Sequence, residues 1–338
     1  MTERVNVGII GAGRIGRVHA EHLAHRIPQA NVLAIADIAL EAAQKCAADL
    51  HIPMAVSDHR AILDNADIAA VVICSSTDTH ARFIEEAARA GKHIFCEKPI
   101  DYDLKKIDRA LEAVTQAGVK LQIGFNRRFD PSFKRARDMV AEGKIGQPHI
   151  VRITSRDPAP PPIEYVKVSG GIFLDMTIHD FDMARYLIGS EVEELYAAGE
   201  VLVDPAIGQA GDLDTVLVSL RYANGALGSI DNSRRAVYGY DQRIEVFGSA
   251  GGIIVTNRTP DNAVFSDVNG VHSALPLYFF IERYSEAFVA EMREFITCIL
   301  EDKSPAVSGV DGRIPVVMGL AAWKSYREHR PVRLSEIV

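Results

Sequence analysis

The chain has 338 residues, 48% of them hydrophobic, and its 37 Lys and Arg against 45 Asp and Glu give a formal net charge of −8. This length suffices for two domains with cores of their own, and an acidic chain lacks a general basic surface for nucleic acid or anionic membranes, so the expected partner is a small molecule. The four cysteines are too widely spaced for a zinc or CxxC motif, and neither a signal peptide nor a run of about 20 apolar residues is present, so we expect a cytoplasmic protein without a bound metal.

Short apolar runs alternate with amphipathic stretches from Val5 to about Gly124. Runs that are apolar on both faces, separated by helical patterns, predict a doubly wound parallel sheet in an α/β domain of the Rossmann type. We expect this domain over residues 1–124. The predicted strands are Val5–Ile10, Val32–Ala36, Ala69–Cys74, His93–Cys96 and Lys120–Ile123, and the predicted helices are Arg14–Arg26, Ile38–Leu50, Thr79–Ala90 and Leu104–Ala117.

The first predicted strand runs directly into a glycine motif, Gly11-Ala-Gly13-Arg14-Ile15-Gly16, that opens the first helix. In this context the first glycine permits the tight turn, the second lets the backbone approach a pyrophosphate, and the third allows close packing of helix and strand. The motif alone is compatible with a simple strand-to-helix turn. For Arg14, a contact with the pyrophosphate and a solvated position at the helix start both remain open.

The second predicted strand ends in Asp37, which lies 21 residues after Gly16. A carboxylate there accepts hydrogen bonds from the ribose 2′-hydroxyl of NAD and repels the 2′-phosphate of NADP. Ile38 and Ala39 follow it in place of an arginine. The loop, its context and this acidic residue together predict an NAD site.

Two polar segments follow later strands, at the edge of an α/β sheet where ligands bind. Cys74-Ser75-Ser76-Thr77-Asp78-Thr79-His80 is placed to contact the nicotinamide ribose, although Thr77, Asp78 or Thr79 would equally serve as an N-cap. Glu97-Lys98-Pro99 ends the next strand. Beside a dinucleotide, the Lys98 ammonium would hydrogen-bond a substrate hydroxyl and favour its alkoxide. A cis bond at Pro99 is compatible with the sequence but does not follow from it.

The pattern changes after Gly124, where a proline-rich segment and Gly170-Gly171 precede a helix predicted from about Phe173 to Leu187. Strand patterns then dominate, and Asn224-Gly225 and Asn269-Gly270 mark hairpin turns. We expect an antiparallel sheet in a second domain over residues 125–338. The predicted strands are Val192–Val203, Thr215–Tyr222, Ala226–Asn232, Arg243–Gly248 and Gly252–Asn257, followed by helices over Phe279–Leu300 and Arg313–Arg327.

Within the predicted helix, Asp175 and His179 are spaced i,i+4, and Asp182 lies near the same face. If Asp175 accepts from one ring nitrogen of His179, it fixes the tautomer and stabilises the imidazolium that forms when the other nitrogen takes a substrate proton. An aspartate at a helix start beside a surface histidine is the structural alternative.

Four motifs, in this order and spacing, resemble the glucose-fructose oxidoreductase/inositol dehydrogenase (Gfo/Idh/MocA) family over nearly the whole chain. They are Gly11-x-Gly13-x-x-Gly16, Glu97-Lys98-Pro99, Gly124-Phe-Asn-Arg-Arg128-Phe-Asp130 and Gly170-Gly171…Asp175-x-x-x-His179. The resemblance implies a Rossmann domain that binds NAD, followed by an α+β domain with a large, mostly antiparallel sheet for substrate binding and oligomerisation.

The resemblance also implies a function: NAD-dependent oxidation of a cyclic polyol, with myo-inositol giving 2-keto-myo-inositol, in a homotetramer. It assigns catalysis to Lys98, Asp175 and His179, and the NAD ribose to Asp37. The implied cofactor contacts are Gly11, Gly13, Arg14, Ile15, Gly16, Asp37, Ser75, Ser76, Thr77, His80, Glu97 and Lys98. The implied polyol contacts are Lys98, Asn126, Arg127, Asp175, His179 and either Tyr238 or Tyr240. Of Arg127 and Arg128, one is expected to contact ligand and the other to form an ordinary ion pair.

Several other functions remain open from the sequence. The substrate is equally compatible with another inositol isomer or a pyranose sugar. An NAD-dependent glycosidase would use a transient oxidation on the same scaffold and return NAD unchanged, and a non-catalytic sensor would bind without turnover. A metal-dependent hydrolase built on Asp175, His179 and Asp182 is the remaining alternative.

Overall fold

A computed structural model describes residues 4–337 of the chain, which form two compact units. The first unit combines the chain up to Phe129 with Glu286–Ile314, and the second combines Asp130–Ser285 with the chain from Pro315 onward. The predicted division at residue 124 assigned Glu286–Ile314 to the second domain, whereas in the structure this segment packs into the first.

The first unit is built on a six-stranded parallel sheet in the order β3-β2-β1-β4-β5-β6. This order reverses between β1 and β4, which is where open α/β sheets bind ligands. The strands are β1 (Val5–Ile10), β2 (Ala30–Ala36), β3 (Met54–Val56), β4 (Ala70–Ile73), β5 (His93–Cys96) and β6 (Leu121–Ile123). The helices are α1 (Arg14–His25), α2 (Leu40–Leu50), α3 (Arg60–Leu63), α4 (Thr77–Arg89), α5 (Leu104–Ala117) and, from the later segment, α12 (Ser285–Leu300), with a 3-10 helix at Asn126–Phe129.

The core of the first unit lies between this sheet and its helices. Val7, Ile9 and Phe95 from the strands pack with Leu23 of α1 and Phe295 of α12. Because helices cover the sheet, its strands are apolar on both faces, and the predicted doubly wound sheet is confirmed. The short β3 and α3 were not predicted.

The second unit contains a seven-stranded sheet in the order β12-β11-β7-β10-β9-β8-β15. Only β7 and β10 pair in parallel among these strands, so the predicted mostly antiparallel sheet is confirmed. The strands are β7 (Pro148–Arg156), β8 (Val192–Glu200), β9 (Thr215–Tyr222), β10 (Leu227–Ser233), β11 (Asp241–Gly248), β12 (Gly251–Val255) and β15 (Val332–Arg333); a separate hairpin comprises β13 (Val264–Asp267) and β14 (Gly270–Ser273). The helices are α6 (Pro131–Ala141), α7 (Ile163–Val166), α8 (Ile172–Asp175), α9 (Thr177–Ile188), α10 (Pro205–Gln209) and α11 (Phe280–Arg283); α13 (Gly309–Glu328) crosses the boundary between the units.

Two predicted helices are broken in the structure. The helix expected from Phe173 to Leu187 divides at Met176 into α8 and α9, and the one expected over Phe279–Leu300 divides at Tyr284 into α11 and α12. Both predicted hairpins form. Asn224-Gly225 lies in the turn between β9 and β10, whereas the turn between β13 and β14 is Val268-Asn269, one residue before the predicted position, and Gly270 begins β14. Within residues 4–337, none of the helices combines the length and apolar character needed to cross a bilayer.

Candidate active site

The glycine loop follows β1 at the point where the strand order reverses. Gly11 has φ +106°, and a Cβ on it would lie 2.5 Å from the Cys74 carbonyl oxygen; a Cβ on Gly16 would lie 1.9 Å from the Gly11 oxygen. Neither position admits a side chain. At Gly13, by contrast, no atom lies within 4 Å of where a Cβ would stand.

This opening at Gly13 is next to the start of α1. Gly13 occupies the N-cap position, and no side chain caps the helix. An uncapped helix start with free space in front of it fits an anionic group, because backbone N–H groups and the helix dipole attract negative charge there. The loop therefore fits the pyrophosphate of a dinucleotide.

In the structure, the Asp37 carboxylate holds the glycine loop, and the ribose contact expected of it stays a prediction. Its Oδ2 accepts from the backbone N–H of Ala12 at 2.7 Å, and its Oδ1 accepts from that of Ala39 at 2.9 Å. The carboxylate is half-buried, so lone pairs remain for a ribose hydroxyl. The next residue, Ile38, is 97% exposed and offers an apolar surface beside the carboxylate.

The loop after β4 lies against the glycine loop, since Gly11 approaches the Cys74 carbonyl. Helix α4 begins after Ser76, so Ser76 and not Thr77, Asp78 or Thr79 takes the N-cap position. The Ser75 and Thr79 hydroxyls lie 2.6 Å apart, and Thr79 donates to the Ser76 carbonyl at 2.7 Å. These hydroxyls order the loop that faces the switch point of the sheet.

His80 is a structural link between two loops. Its side chain is buried, with Nδ1 2.8 Å from the Pro99 carbonyl oxygen and Nε2 3.0 Å from the Ser75 carbonyl oxygen. Burial lowers the pKa of His80, while the two carbonyls act in the opposite direction. The cofactor contact expected of His80 stays a prediction, and in the structure its side chain links the loops after β4 and β5.

Glu97, Lys98 and Pro99 follow β5, and the Lys98–Pro99 peptide bond is cis. Glu97 Oε1 lies 2.7 Å from Nε2 of His19, and its Oε2 accepts from the Lys98 backbone N–H at 3.3 Å. Lys98 itself is half-buried. The Glu97 carboxylate thus points into the protein and supports the segment that carries the lysine.

Asn126 and Arg127 lie in the 3-10 helix after β6 and are 5% and 4% exposed. The neighbouring Arg128 donates to Asp311 at 2.9 Å. The sequence left open which of the two arginines forms an ion pair, and Arg128 forms one with Asp311.

In the second unit, Asp175 ends α8 and His179 lies in the first turns of α9, so the two do not share one continuous helix. Asp175 accepts from the Tyr165 hydroxyl at 2.8 Å and from Arg234 at 3.2 Å. His179 is half-buried. Tyr165 and Arg234 were not predicted as site residues.

Arg234 is 1% exposed and connects two acidic residues. It reaches Asp175 and, at 3.4 Å, Asp212, whose other oxygen accepts from the Ile172 N–H at 2.8 Å. Burial raises the pKa of Asp212, and the hydrogen bonds from Ile172 and Arg234 oppose that rise. This guanidinium fixes the start of α8 together with the Asp175 carboxylate.

Replacing Arg234 with methionine is expected to lower the free energy of unfolding by about 3–5 kcal/mol, because it leaves carboxylates without their buried cation. Urea unfolding measures this. The matched control is Arg235→Met, since Arg235 is adjacent and exposed. Equal stability of the two variants would contradict the assigned role.

The other side chains of the second unit that were predicted to take part in the site contact residues of the same unit. The Tyr238 hydroxyl donates to Asp241 at 2.6 Å and lies 3.2 Å from Arg156, and Tyr240 packs edge-on against Tyr284 at a centroid distance of 6.0 Å. Asp182 is buried. Among residues 4–337, the acidic and imidazole groups close enough to share a cation are His19, Glu97 and Glu291, and this set contains none of the predicted hydrolase residues.

Comparisons with known proteins extend over both units. Residues 5–125 match an oxidoreductase family with an NAD-binding Rossmann fold, and residues 133–254 match the GFO/IDH/MocA C-terminal domain. The chain is 50% identical over 334 residues to a myo-inositol 2-dehydrogenase of Thermotoga maritima, covering 99% of this chain and 100% of that protein. It is 47% identical over 332 residues to an inositol 2-dehydrogenase of Rhizobium meliloti, covering 98% and 99%. A crystal structure of scyllo-inositol dehydrogenase from Lactobacillus casei with bound NAD(H) and scyllo-inositol superposes with a TM-score of 0.93 at 30% identity, covering 98% of this chain and 100% of that one.

Proposed function

Because the chain belongs to the Gfo/Idh/MocA family of oxidoreductases, we propose that it catalyses the NAD-dependent oxidation of myo-inositol to 2-keto-myo-inositol. The observation that carries this proposal is full-length similarity, at 47–50% identity, to proteins named as inositol 2-dehydrogenases. The intact glycine loop and Asp37 agree with it.

The NAD-holding residues are proposed to be those of the first unit that surround the glycine loop. The backbone at Gly11–Gly16 would take the pyrophosphate, Asp37 a ribose, and exposed Ile38 one face of the adenine. Ser75, Ser76 and Thr77 would face the second ribose. Bound NAD⁺ supplies the hydride acceptor of the reaction.

Three side chains are proposed to perform the proton chemistry. His179 takes the proton of the substrate hydroxyl, and Lys98 donates a hydrogen bond to the same oxygen as negative charge develops on it. Asp175 keeps the local negative charge that stabilises the imidazolium. Its hydrogen bonds from Tyr165 and Arg234 support this role, because they hold the carboxylate in one orientation.

The polyol is proposed to contact Asn126, Arg127 and a tyrosine of the second unit, Tyr238 or Tyr240. The buried setting of Asn126 and Arg127 supports this assignment, since a polar group held in place discriminates between hydroxyl configurations better than a mobile one. Which ring carbon is oxidised depends on the hydroxyl presented to the base.

A substrate panel tests the proposed function. NADH formation and ketone formation are measured with myo-, scyllo- and chiro-inositol and with pyranoses, each with NAD⁺ and NADP⁺. We expect one NADH per ketone, with myo-inositol and NAD⁺ preferred. Release of an aglycone from a glycoside without net NADH would identify a glycosidase, and binding without turnover would identify a sensor; either result would overturn the proposal.

Replacing Asp37 with alanine is expected to weaken NAD binding about 10- to 100-fold, because a charged hydrogen-bond acceptor and the anchor of Ala12 are both lost. NADP binding should weaken less, since the repulsion of its 2′-phosphate disappears as well. Calorimetric titration with both dinucleotides measures the ratio. The control is Asp67→Ala at an exposed position of the same unit; an unchanged preference for NAD would contradict the assignment.

A homotetramer in the cytoplasm is proposed as the working form. One face of the seven-stranded sheet carries a neighbouring row of apolar side chains, in which exposed Phe247 and Leu227 flank Ile150. Exposed apolar patches of this kind mark interfaces. The four cysteines are free thiols, which agrees with a reducing compartment. Light scattering of Phe247→Glu is expected to show smaller particles than the parent protein.

A further inference from the structure

Three polar groups from three separate elements, two of them buried and one half-buried, meet inside the first unit. They are His19 of α1, Glu97 after β5 and Glu291 of α12, and each contributes an atom within 4.8 Å of the others. His19 and Glu291 are 0% exposed. None of the chemistry proposed above uses Glu291.

Glu291 differs from an ordinary buried carboxylate because nothing donates to it. Within the described chain, no N–H or O–H group donates a hydrogen bond to either of its carboxyl oxygens. An ionised carboxylate in such a place would be strongly disfavoured unless a proton or a cation accompanied it. Burial, and then the charge of Glu97, raise the pKa of Glu291 well above its usual range.

Among residues 4–337, no cationic side chain forms an ion pair with Glu291. Burial raises the pKa of the Cys74 and Cys96 thiols, and the charge of Glu97 acts in the same direction, so both thiols remain neutral. His19 directs Nε2 at Glu97, and its Nδ1 has no partner among the described residues. Glu97 is therefore the neighbouring acceptor that a proton on Glu291 would face.

Glu97 in turn supports the lysine segment. Its Oε2 accepts from the Lys98 backbone N–H, and a Cβ on Gly124 would come within 3.0 Å of its carboxylate. The carboxylate thus occupies a tightly bounded position. Because this carboxylate accepts from the Lys98 backbone N–H, its position is coupled to that of the segment carrying Lys98.

We propose that Glu291 is a neutral carboxylic acid that donates a hydrogen bond to Glu97, and that the His19–Glu97–Glu291 network is a positioning element for Lys98. The proposal rests on the function assigned to Lys98 above. The network transfers nothing to substrate: its proton stays between the two carboxyl groups and keeps them together.

A bound cation is the competing explanation and is less favoured by the donor set. The cluster offers three ligand atoms, and the rings of Phe95 and Phe288 pack edge-on against His19 at 5.1 and 5.7 Å. Aromatic rings add no oxygen or nitrogen ligand, and structural zinc sites use four donors. A proton needs only one donor and one acceptor.

A matched pair of variants tests the network. Glu291→Gln keeps a neutral group that donates, whereas Glu291→Met keeps the size and removes the donor. We expect Glu291→Gln to hold kcat within about threefold and Glu291→Met to lower kcat roughly tenfold to a hundredfold, with little change in KM for NAD. Glu286→Gln and Glu286→Met are the controls, since Glu286 lies on the same helix with a side chain that is 56% exposed.

Infrared difference spectroscopy of the parent protein minus Glu291→Gln gives a readout independent of activity. At neutral pH we expect the carbonyl band of one protonated carboxylic acid. The proposal would be overturned if the difference spectrum showed carboxylate bands alone. It would also be overturned if both Glu291 variants folded normally and lost kcat equally, or if the parent held a stoichiometric metal that both variants lose. If Lys98→Met leaves kcat unchanged, the role of Lys98 fails, while the infrared band still decides whether Glu291 carries a proton.

Discussion

Replacing His179 with alanine is expected to lower kcat for inositol oxidation by about 10²- to 10⁴-fold, because general-base assistance contributes on that scale. NAD binding should change little, since the residues assigned to the dinucleotide lie in the other unit. Steady-state kinetics, with calorimetric titration of NAD, measures both effects.

The matched control for this variant is His149→Ala, which removes an exposed histidine of the same unit. It should retain the parent's kcat. Added imidazole is expected to restore part of the rate of His179→Ala, because the base is then supplied from solution. A variant as active as the parent would remove His179 from the mechanism.

Replacing Lys98 with methionine is expected to lower kcat by about 10²- to 10³-fold, the scale found when a donor to a developing oxyanion is lost. Methionine preserves much of the apolar length of the side chain and removes the ammonium. Arginine at this position should not restore the rate, because its planar fork differs in shape and donor geometry from a compact ammonium. Single-turnover measurement of NADH formation isolates the chemical step.

Lys105→Met serves as the control, since Lys105 is an exposed lysine near the same segment.

The double variant Lys98→Met/His179→Ala should lose less kcat than the product of the two single losses, because groups that act on one hydroxyl behave as a unit. Strict additivity of the two losses would indicate that the residues act on different steps.

Local sequence patterns were sufficient where one element determines its own structure. The bounds of β1, β5 and α5 agree with those predicted, because β1 and β5 are short apolar runs and α5 is an amphipathic stretch, each with a clear beginning and end. Gly118, with φ +66°, ends α5 in the way expected of a glycine C-cap. The glycine loop and Asp37 could also be identified from sequence, because each is marked by its residue type and by its position at the end of a predicted strand.

Two elements of the second unit that were not predicted, α6 and β7, have recognisable sequence patterns. Helix α6 has Asp130 as its N-cap, accepting from Ser132 and Phe133, with proline in its first turn. Strand β7 shows alternation of buried and exposed residues. It pairs in parallel with β10, about 77 residues later, and no local pattern predicts that partner.

The parts that sequence did not predict depend on tertiary contacts. Glu291 lies in a helix where a glutamate is ordinarily solvated, and only its proximity to His19 and Glu97 makes it unusual. Similarly, Arg234 follows a strand with no motif, and its role depends on Asp175 and Asp212 meeting across it. Neither of these tertiary contacts can be predicted from the spacing of the residues along the chain.

The most direct test of the proposed hydride transfer uses myo-inositol that carries deuterium on the carbinol carbon and measures where the deuterium goes. We expect the deuterium to appear on the nicotinamide ring of the product in stoichiometric amount, with one ketone formed per reduced dinucleotide and a lower rate for the labelled substrate. Loss of the deuterium to water without accumulation of reduced dinucleotide would contradict it.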